Sequence, residues 1–235
     1  MDPELEKEYI TPECNGWTTD LYFVKLSIVT ALRKALPNMY GTVLDVGCGQ
    51  SPYKELVLSG PRVTGYLGMD LEGSSEAFRP DLGWDGATIP RPDNSFESAL
   101  ATEVLEHCPH PEYVLAEIFR VLKPGGFLFL TVPFLWPLHT VPYDEYRYTP
   151  FSLRRLLDEA GFGEIEIAAP GGWDASLATM LGLWVRRRPM NETTRRVLQR
   201  LLLPVYRKLL RLDQPPADFS RSCMITNLTA AARKR

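Results

Sequence analysis

The sequence is short of cysteine and histidine and has no long hydrophobic run, and these shortages exclude several classes of protein. It has four cysteines without a Cys-x-x-Cys pair: Cys14, Cys48, Cys108 and Cys223. We therefore expect reduced thiols in a cytoplasmic protein. The longest nearly apolar stretch, residues 127–138, is well short of the roughly 20 residues that a membrane-spanning helix needs. The acidic first residues lack the basic and apolar regions of a signal peptide, and none is predicted.

The composition and the length are those of a globular protein. Hydrophobic residues make up 45% and charged residues 23% of the 235 positions, which excludes a disordered, collagenous or coiled-coil chain. No internal repeat and no low-complexity tract is present. The length suits one large domain, or a domain that carries an insertion.

The net charge of −3 conceals a strong asymmetry along the chain. Residues 184–211 hold nine arginines and lysines against one acidic residue, Glu192, so this segment carries +8 and the rest of the chain −11. Apolar residues alternate with the basic ones, which predicts an amphipathic helix pair. Such a pair would cover a functional site, form a homodimer interface, bind an anionic membrane surface or present a solvated basic face. Membrane binding would make the cytoplasmic protein membrane-peripheral.

Past residue 40, short apolar runs alternate with helical stretches, which is typical of a parallel sheet with crossover helices. Before them, Asp20 is predicted to cap a helix that ends at Pro37. The predicted strands cover residues 42–46, 66–70, 82–85, 98–102, 127–132, 164–168 and 224–230. The predicted units are an N-terminal arm and helix (1–40), a core (41–169), a basic helical insertion (170–219), and a closing strand with a tail (220–235).

Several motifs stand at the ends of the predicted strands. The run Val43-Leu-Asp-Val-Gly-Cys-Gly49 is a buried strand that enters a Gly-x-Gly turn, where backbone N–H groups can approach a ligand. Asp70 ends the second strand, where a carboxylate can accept hydrogen bonds from ribose hydroxyls. The remaining motifs are Asp85-Gly86, Thr102-Glu-Val-Leu-Glu-His107 and Leu122-Lys-Pro-Gly-Gly126.

In this order, the motifs resemble those of class I S-adenosylmethionine-dependent methyltransferases, over about residues 40–168. The resemblance implies a doubly wound α/β fold with a seven-stranded sheet, mostly parallel with the last strand antiparallel, and here an α-helical insertion. It also implies S-adenosyl-L-methionine as the cofactor, bound beyond the carboxyl ends of the strands.

The same resemblance implies roles for individual residues along the cofactor. Gly47, Cys48 and Gly49 would pass under its methionine part, and Asp45 would face its ammonium group. Asp70 would hold the ribose hydroxyls. The residues implied at the adenine and beside the fourth strand are Leu71, Asp85, Gly86, Glu103 and Val104.

One residue departs from the family's motifs, and one motif is also compatible with a different cofactor. Pro52 replaces the third glycine of the family's loop, a change that a first helical turn tolerates because its N–H would be unpaired there. The position of Asp70 alone would suit NAD equally well, so a dinucleotide oxidoreductase is a rival interpretation. The Leu-Glu-His and Lys-Pro-Gly-Gly motifs favour the methyltransferase.

The histidines His107, His110 and His139 are the candidates for a general base. His139 stands in a segment rich in proline and aromatic residues (133–150, hereafter the aromatic segment), directly after the fifth strand, where it would face the transferred methyl group. His107 belongs to the Leu-Glu-His motif, where a structural role is the alternative. His110 precedes Pro111 at a helix start and is predicted to be a surface residue.

Three further residues of the aromatic segment are candidate catalytic residues. Tyr143 can stack on a substrate ring, Arg147 can clamp an anionic substrate, and Asp144 can orient a histidine or accept a hydrogen bond from a hydroxyl. Alternatively, Asp144 and Arg147 pair with each other and hold the loop. No acidic set with octahedral spacing accompanies these residues, so we expect no metal ion.

The predicted function is O-methylation of a small-molecule or glycan-linked hydroxyl, since the aromatic segment also resembles that of family members from glycan and secondary-metabolite pathways. A nucleic-acid methyltransferase that uses the basic insertion is the first alternative. The fourth strand leads into Ala-Thr-Glu-Val rather than the Asn/Asp-Pro-Pro-Tyr/Phe signature of base-methylating relatives, so a nucleic-acid partner is disfavoured. A non-catalytic scaffold with the same fold is the other alternative.

Overall fold

The computed structural model describes residues 3–73 and 79–235 and contains a seven-stranded sheet in the order β3-β2-β1-β4-β5-β7-β6. The pairs β1–β2, β1–β4, β2–β3 and β4–β5 are parallel, whereas β7 runs antiparallel to both β5 and β6. The strands are β1 (Gly41–Val46), β2 (Val63–Leu71), β3 (Leu82–Trp84), β4 (Phe96–Thr102), β5 (Leu122–Pro133), β6 (Phe162–Ala168) and β7 (Asn227–Lys234). The predicted doubly wound sheet with one antiparallel strand is confirmed.

Crossover helices connect the parallel strand pairs β1–β2 and β4–β5, and the other helices of the described residues precede β1 or lie between β5 and β7. The helices are α1 (Pro3–Leu5), α2 (Tyr22–Ala35), α3 (Lys54–Leu58), α4 (Pro111–Val121), α5 (Pro150–Glu159), α6 (Trp173–Arg187) and α7 (Glu192–Leu212). Helix α4 starts with proline at its first position, which has no N–H to leave unpaired, and buries the apolar stripe Val114, Leu115, Ile118 and Val121.

Strand β5 is buried on both faces, as its continuous apolar sequence predicts. Leu128 and Leu130 belong to the core on one side of the sheet, whereas Phe127 and Phe129 belong to the core on the other side. This alternation follows from the two-residue period of a strand, so one apolar run serves two helical layers.

Asp20 does not cap helix α2, which corrects the expectation from the sequence. The helix begins after Leu21 without a side-chain cap. The carboxylate of Asp20 is buried, and its Oδ2 accepts a 2.7 Å hydrogen bond from Nε of Arg187, with Arg186 3.7 Å away. Guanidinium groups are stronger partners for a carboxylate than the backbone N–H groups of a helix end.

Helices α6 and α7 form a basic hairpin (residues 173–212) that packs on the N-terminal part of the chain. Gly182 lies against the backbone of Thr19, since a Cβ at this position would come within 2.2 Å of the Thr19 oxygen. Arg207 donates a hydrogen bond to the carbonyl of Cys14, and α7 continues through Pro204. The exposed apolar side chains of the basic hairpin include Trp173, Leu177, Trp184, Val197 and Leu201.

Contact of the basic hairpin with an anionic membrane or a second copy of the chain stays a prediction. Within the described residues, no helix combines the length and the apolar character that crossing a bilayer requires.

Candidate active site

A cavity of about 620 Å³ opens beyond the carboxyl ends of strands β1, β2, β3 and β4. This is the edge of an open α/β sheet at which ligands bind, because the strand order reverses between β1 and β4. Most of the predicted cofactor residues line the cavity: Gly47, Asp70, Leu71, Asp85, Gly86, Glu103 and Val104. Asp45 and Cys48 are buried and Gly49 is exposed, and none of the three is among the described lining residues.

The glycine turn after β1 packs so closely against Val104 that it has no room for a side chain at Gly47. Gly47 has a φ of +67°, and a Cβ there would lie 2.6 Å from Cγ2 of Val104. The N–H of Gly49 donates to Oδ2 of Asp70 over 2.8 Å, and the N–H of Leu71 donates to Oδ1 over 2.7 Å. The carboxylate of Asp70 therefore ties the turn to the end of β2 and keeps lone pairs for hydroxyl donors in the cavity.

Asp45 is a buried carboxyl with one free oxygen. Its side chain accepts a hydrogen bond from the hydroxyl of Tyr66 at Oδ2, while Oδ1 has no partner among the described residues. Burial raises the pKa of Asp45 to about 7. A cationic ammonium is the partner that would satisfy the free oxygen and favour the ionised form.

Cofactor affinity should therefore rise with pH. Below pH 7 the carboxyl of Asp45 is largely protonated, so a ligand ammonium must displace its proton. We expect affinity for S-adenosylmethionine to increase roughly tenfold between pH 6 and pH 8, measured by calorimetry. Asp45→Asn should bind weakly with a flat profile; a variant that keeps the parent profile would contradict this role. The titratable groups that interact electrostatically with Asp45 are Cys48, Tyr53, Tyr66 and Asp70.

Cys48 contributes its backbone, not its thiol, to the turn. The side chain is buried, and its Sγ lies over Gly68 of β2, where a Cβ would come within 2.9 Å. Burial raises the pKa of the thiol to about 12. The thiol is therefore neutral and turned away from the cavity.

The far end of the cavity has apolar walls and one fixed carboxylate. Oδ1 of Asp85 accepts hydrogen bonds of 2.8 Å from the N–H groups of Ala87 and Thr88, which hold its pKa below the ordinary value. Trp84 is buried beside it, and Leu71 faces it with about half of its surface exposed. A flat apolar ring with a polar edge, such as adenine, fits these surroundings. Sequence reasoning missed Trp84, although an aromatic residue directly before Asp85-Gly86 was a usable signal.

Glu103 lies where β4 leaves the sheet, in a strained conformation. Its φ is +55°, which is uncommon for a residue with a side chain. Oε1 accepts a 2.7 Å hydrogen bond from the hydroxyl of Thr131, and burial raises the pKa of the carboxyl. Together with Val104, which lies against Gly47, it lines the cavity beside the glycine turn.

The aromatic segment supplies the other end of the same cavity, where Thr140 and Tyr143 join His107 in the lining. Hydrogen bonds fix this segment to the turn after β4. The buried hydroxyl of Tyr148 donates to the carbonyl of Leu105 over 2.8 Å, and the N–H of Glu145 donates to the carbonyl of Glu106 over the same distance.

Asp144 both orients His139 and pairs with Arg147. Its carboxylate accepts two hydrogen bonds from the guanidinium of Arg147, of 2.6 and 2.8 Å. Oδ2 also lies 3.2 Å from Nδ1 of His139 and accepts a 3.0 Å hydrogen bond from the backbone N–H of the same residue. The Arg147 contact holds the pKa of Asp144 well below its ordinary range. The two interpretations that the sequence left open therefore coexist.

Arg147 is engaged inside the aromatic segment. Besides Asp144, its guanidinium donates to the carbonyls of Pro137 and Tyr146, over 3.2 and 2.8 Å. Arg147 is also absent from the described lining of the cavity. Its described contacts match the loop-holding interpretation rather than a clamp on an anionic substrate. Tyr143, in contrast, is largely exposed and lines the cavity.

His107 and His139 come together from different parts of the chain. Their ring centres are 4.7 Å apart in an edge-to-face arrangement. Nδ1 of His107 lies 2.9 Å from the carbonyl oxygen of Tyr143. Burial lowers the pKa of the His139 imidazole. His110 lies on the surface near Tyr113, as predicted, although it touches the rim of the cavity.

Comparison with known sequences agrees with this geometry. Residues 44–130 match the family model of a methyltransferase domain. A sterol 24-C-methyltransferase of Gibberella zeae is 33% identical over 138 residues, which cover 47% of this chain and 36% of that protein. A ubiquinone/menaquinone biosynthesis C-methyltransferase of Methylobacterium nodulans is 27% identical over 184 residues, 60% of this chain and 73% of that protein. The chain matches only about a third of the length of the sterol enzymes.

Solved structures share the fold over nearly the whole chain. A methyltransferase of Thermotoga maritima, described as a possible histamine N-methyltransferase, aligns with a TM-score of 0.59 at 16% identity and covers 99% of both chains. A methyltransferase of Archaeoglobus fulgidus aligns with a TM-score of 0.55 at 16% identity, over 98% of both chains. Residues 44–130 therefore form a methyltransferase domain, and the cavity, the glycine turn and the carboxylates at its edge fit S-adenosylmethionine.

Proposed function

We propose that the protein transfers the methyl group of S-adenosylmethionine to a hydroxyl of a small-molecule or glycan-linked acceptor. The observation that carries the proposal is the continuity of the cavity. The residues that suit the cofactor, such as Asp70 and Asp85, line one part of it, and His107 and Tyr143 line another. Cofactor and acceptor would therefore meet within one continuous cavity.

Methyl transfer needs alignment above all. The acceptor oxygen forms a bond to the methyl carbon while the carbon–sulfur bond breaks and its electron pair stays on sulfur. The hydroxyl proton leaves on the side of the aromatic segment. There His139 is held by Asp144, which leaves Nε2 of the imidazole as the atom that can act on the acceptor.

The histidine–aspartate pair favours oxygen as the acceptor atom. The relatives reported above are named as methyltransferases that act on carbon, in sterol and quinone biosynthesis. A hydroxyl has a proton that must be lost, and a fixed imidazole assists this step by roughly 10²–10⁴-fold. The apolar and aromatic lining suits a small organic acceptor.

The two alternatives have less support. The described residues that line the cavity include none from the basic hairpin, so phosphate contacts on that hairpin would not place a nucleotide at the methyl group. A scaffold without activity has no need of the free oxygen on Asp45.

Transfer of a ¹³C-labelled methyl group tests the proposal. The cofactor with this label is offered with a cell extract that has been separated into small-molecule, glycan, lipid, RNA and protein fractions. We expect label in the small-molecule or glycan fraction, with the NMR chemical shift of an O-methyl group. Label confined to RNA or protein, or a methyl group bound to carbon, would contradict the proposal.

A further inference from the structure

Three side chains with metal-binding atoms meet beside the acceptor end of the cavity. They are Glu106, His107 and His139, and one ligand atom of each lies within 4.8 Å of the other two. Nε2 of His107 is 3.7 Å from Oε1 of Glu106. Ligands of a bound zinc ion lie about 3–3.5 Å apart, so these groups need to close by at most about 1.5 Å.

Glu106 has no evident structural partner. Its side chain is fully buried, and neither carboxylate oxygen receives a hydrogen bond from another described residue. Burial and the nearby Glu103 raise the pKa of the carboxyl. A buried, unpaired carboxyl destabilises a fold, whereas a cation beside it would satisfy both oxygens.

Both imidazoles are oriented as metal ligands usually are. Nδ1 of His107 faces a backbone carbonyl, that of Tyr143, and Nδ1 of His139 faces the carboxylate of Asp144. Each contact places the ring proton on Nδ1 and leaves the lone pair of Nε2 free. Histidines that bind a metal typically donate their second ring N–H to such an oxygen.

We propose that Glu106, His107 and His139 bind a divalent transition-metal ion, with a further coordination position open toward the acceptor. Two imidazoles and one carboxylate are a donor set typical of catalytic zinc, and imidazole also suits iron, cobalt and nickel. The sequence predicted no metal because adjacent Glu106 and His107 meet His139 only through the fold.

The use of this ion in catalysis rests on the proposed function. An acceptor hydroxyl that takes the open position loses its proton to water more readily, because the cation stabilises the oxyanion. The oxyanion then attacks the methyl carbon as described above. His139 would act on the acceptor by holding the ion, and Asp144 would act by orienting His139.

Metal binding is tested directly on the full chain. The purified protein is stripped with a chelator and titrated with Zn²⁺ by calorimetry and with Co²⁺ by visible absorption. We expect one ion per chain, with the absorption of a four- or five-coordinate Co²⁺ site. Glu106→Gln and His107→Ala should each weaken binding at least about 100-fold, and Asp144→Asn should weaken it about tenfold.

His110→Ala is the matched control, because this histidine lies outside the cluster; it should bind both ions like the parent. Circular dichroism establishes that each variant is folded. Glu106→Gln is nearly isosteric and removes only the charge, so it keeps the test valid even if an alanine variant unfolds. Substoichiometric binding, or binding that Glu106→Gln leaves unchanged, would overturn the proposal.

A parallel assay separates this proposal from the proposed function. Hydroxyl methylation that persists at full rate in chelator would reject the catalytic use of the ion and leave O-methylation standing. Stoichiometric binding without any hydroxyl methylation would support the metal site and reject O-methylation.

Discussion

Replacing His139 with alanine is expected to lower kcat for a hydroxyl acceptor at least about 100-fold. The variant loses the imidazole that Asp144 orients, and with it the group that acts on the acceptor oxygen. Affinity for S-adenosylmethionine should stay nearly unchanged, because the residues that suit the cofactor, such as Asp70 and Asp85, belong to other elements and have no described contact with His139. Steady-state kinetics and calorimetry on the same preparation measure both quantities.

Glu145→Ala is the matched control for His139→Ala. This exposed side chain belongs to the same aromatic segment, while the contact of residue 145 with Glu106 is made by its backbone N–H. The control should therefore keep the parent kcat. Normal turnover in His139→Ala would show that alignment alone, or another residue, activates the acceptor.

Asp70→Ala is expected to weaken the binding of S-adenosylmethionine by about 1.5–3 kcal/mol, or roughly 10- to 150-fold in Kd. Hydrogen bonds from the ribose hydroxyls to a charged acceptor are lost. The variant also frees the N–H of Gly49 that the carboxylate now holds, so the glycine turn becomes less ordered. Calorimetric titration with the cofactor gives the change in Kd.

Asp70→Asn separates these two contributions, because an amide oxygen can still accept one of the hydrogen bonds. We expect it to lie between the parent and Asp70→Ala. Asp158→Ala, at an exposed position on α5, should leave the affinity unaltered. Parent-like affinity in Asp70→Ala would reject the assignment of the ribose site.

The cofactor end of the site was predictable because its signals are local. Each motif consists of a buried strand and the one to four residues that follow it, and the parallel sheet brings these strand ends to one edge. Asp70 and Asp85 needed only their positions at the end of β2 and directly after β3. The direction of a single side chain within a turn is not encoded this way, so the sequence did not show that the thiol of Cys48 is buried against Gly68.

The acceptor end depends on contacts between distant parts of the chain. Glu106 and His107 follow β4, whereas His139 follows β5, and no spacing rule reveals that their rings and carboxylate converge. Asp20 shows the same limit. Its position predicted a helix cap, but the arginines of α6, more than 160 residues away, provide stronger partners.

The position of β7 between β5 and β6 sets the order in which the sheet can assemble. Strand β6 forms at residues 162–168 but pairs with β7, which is reached only after roughly 60 further residues and the entire basic hairpin. Pairing β6 with β7 closes a loop that contains the basic hairpin. The entropic cost of closing this loop is therefore added when β6 pairs with β7. Strand β6 therefore joins the sheet late, and as one of the two edge strands it is expected to open more readily than the central strands.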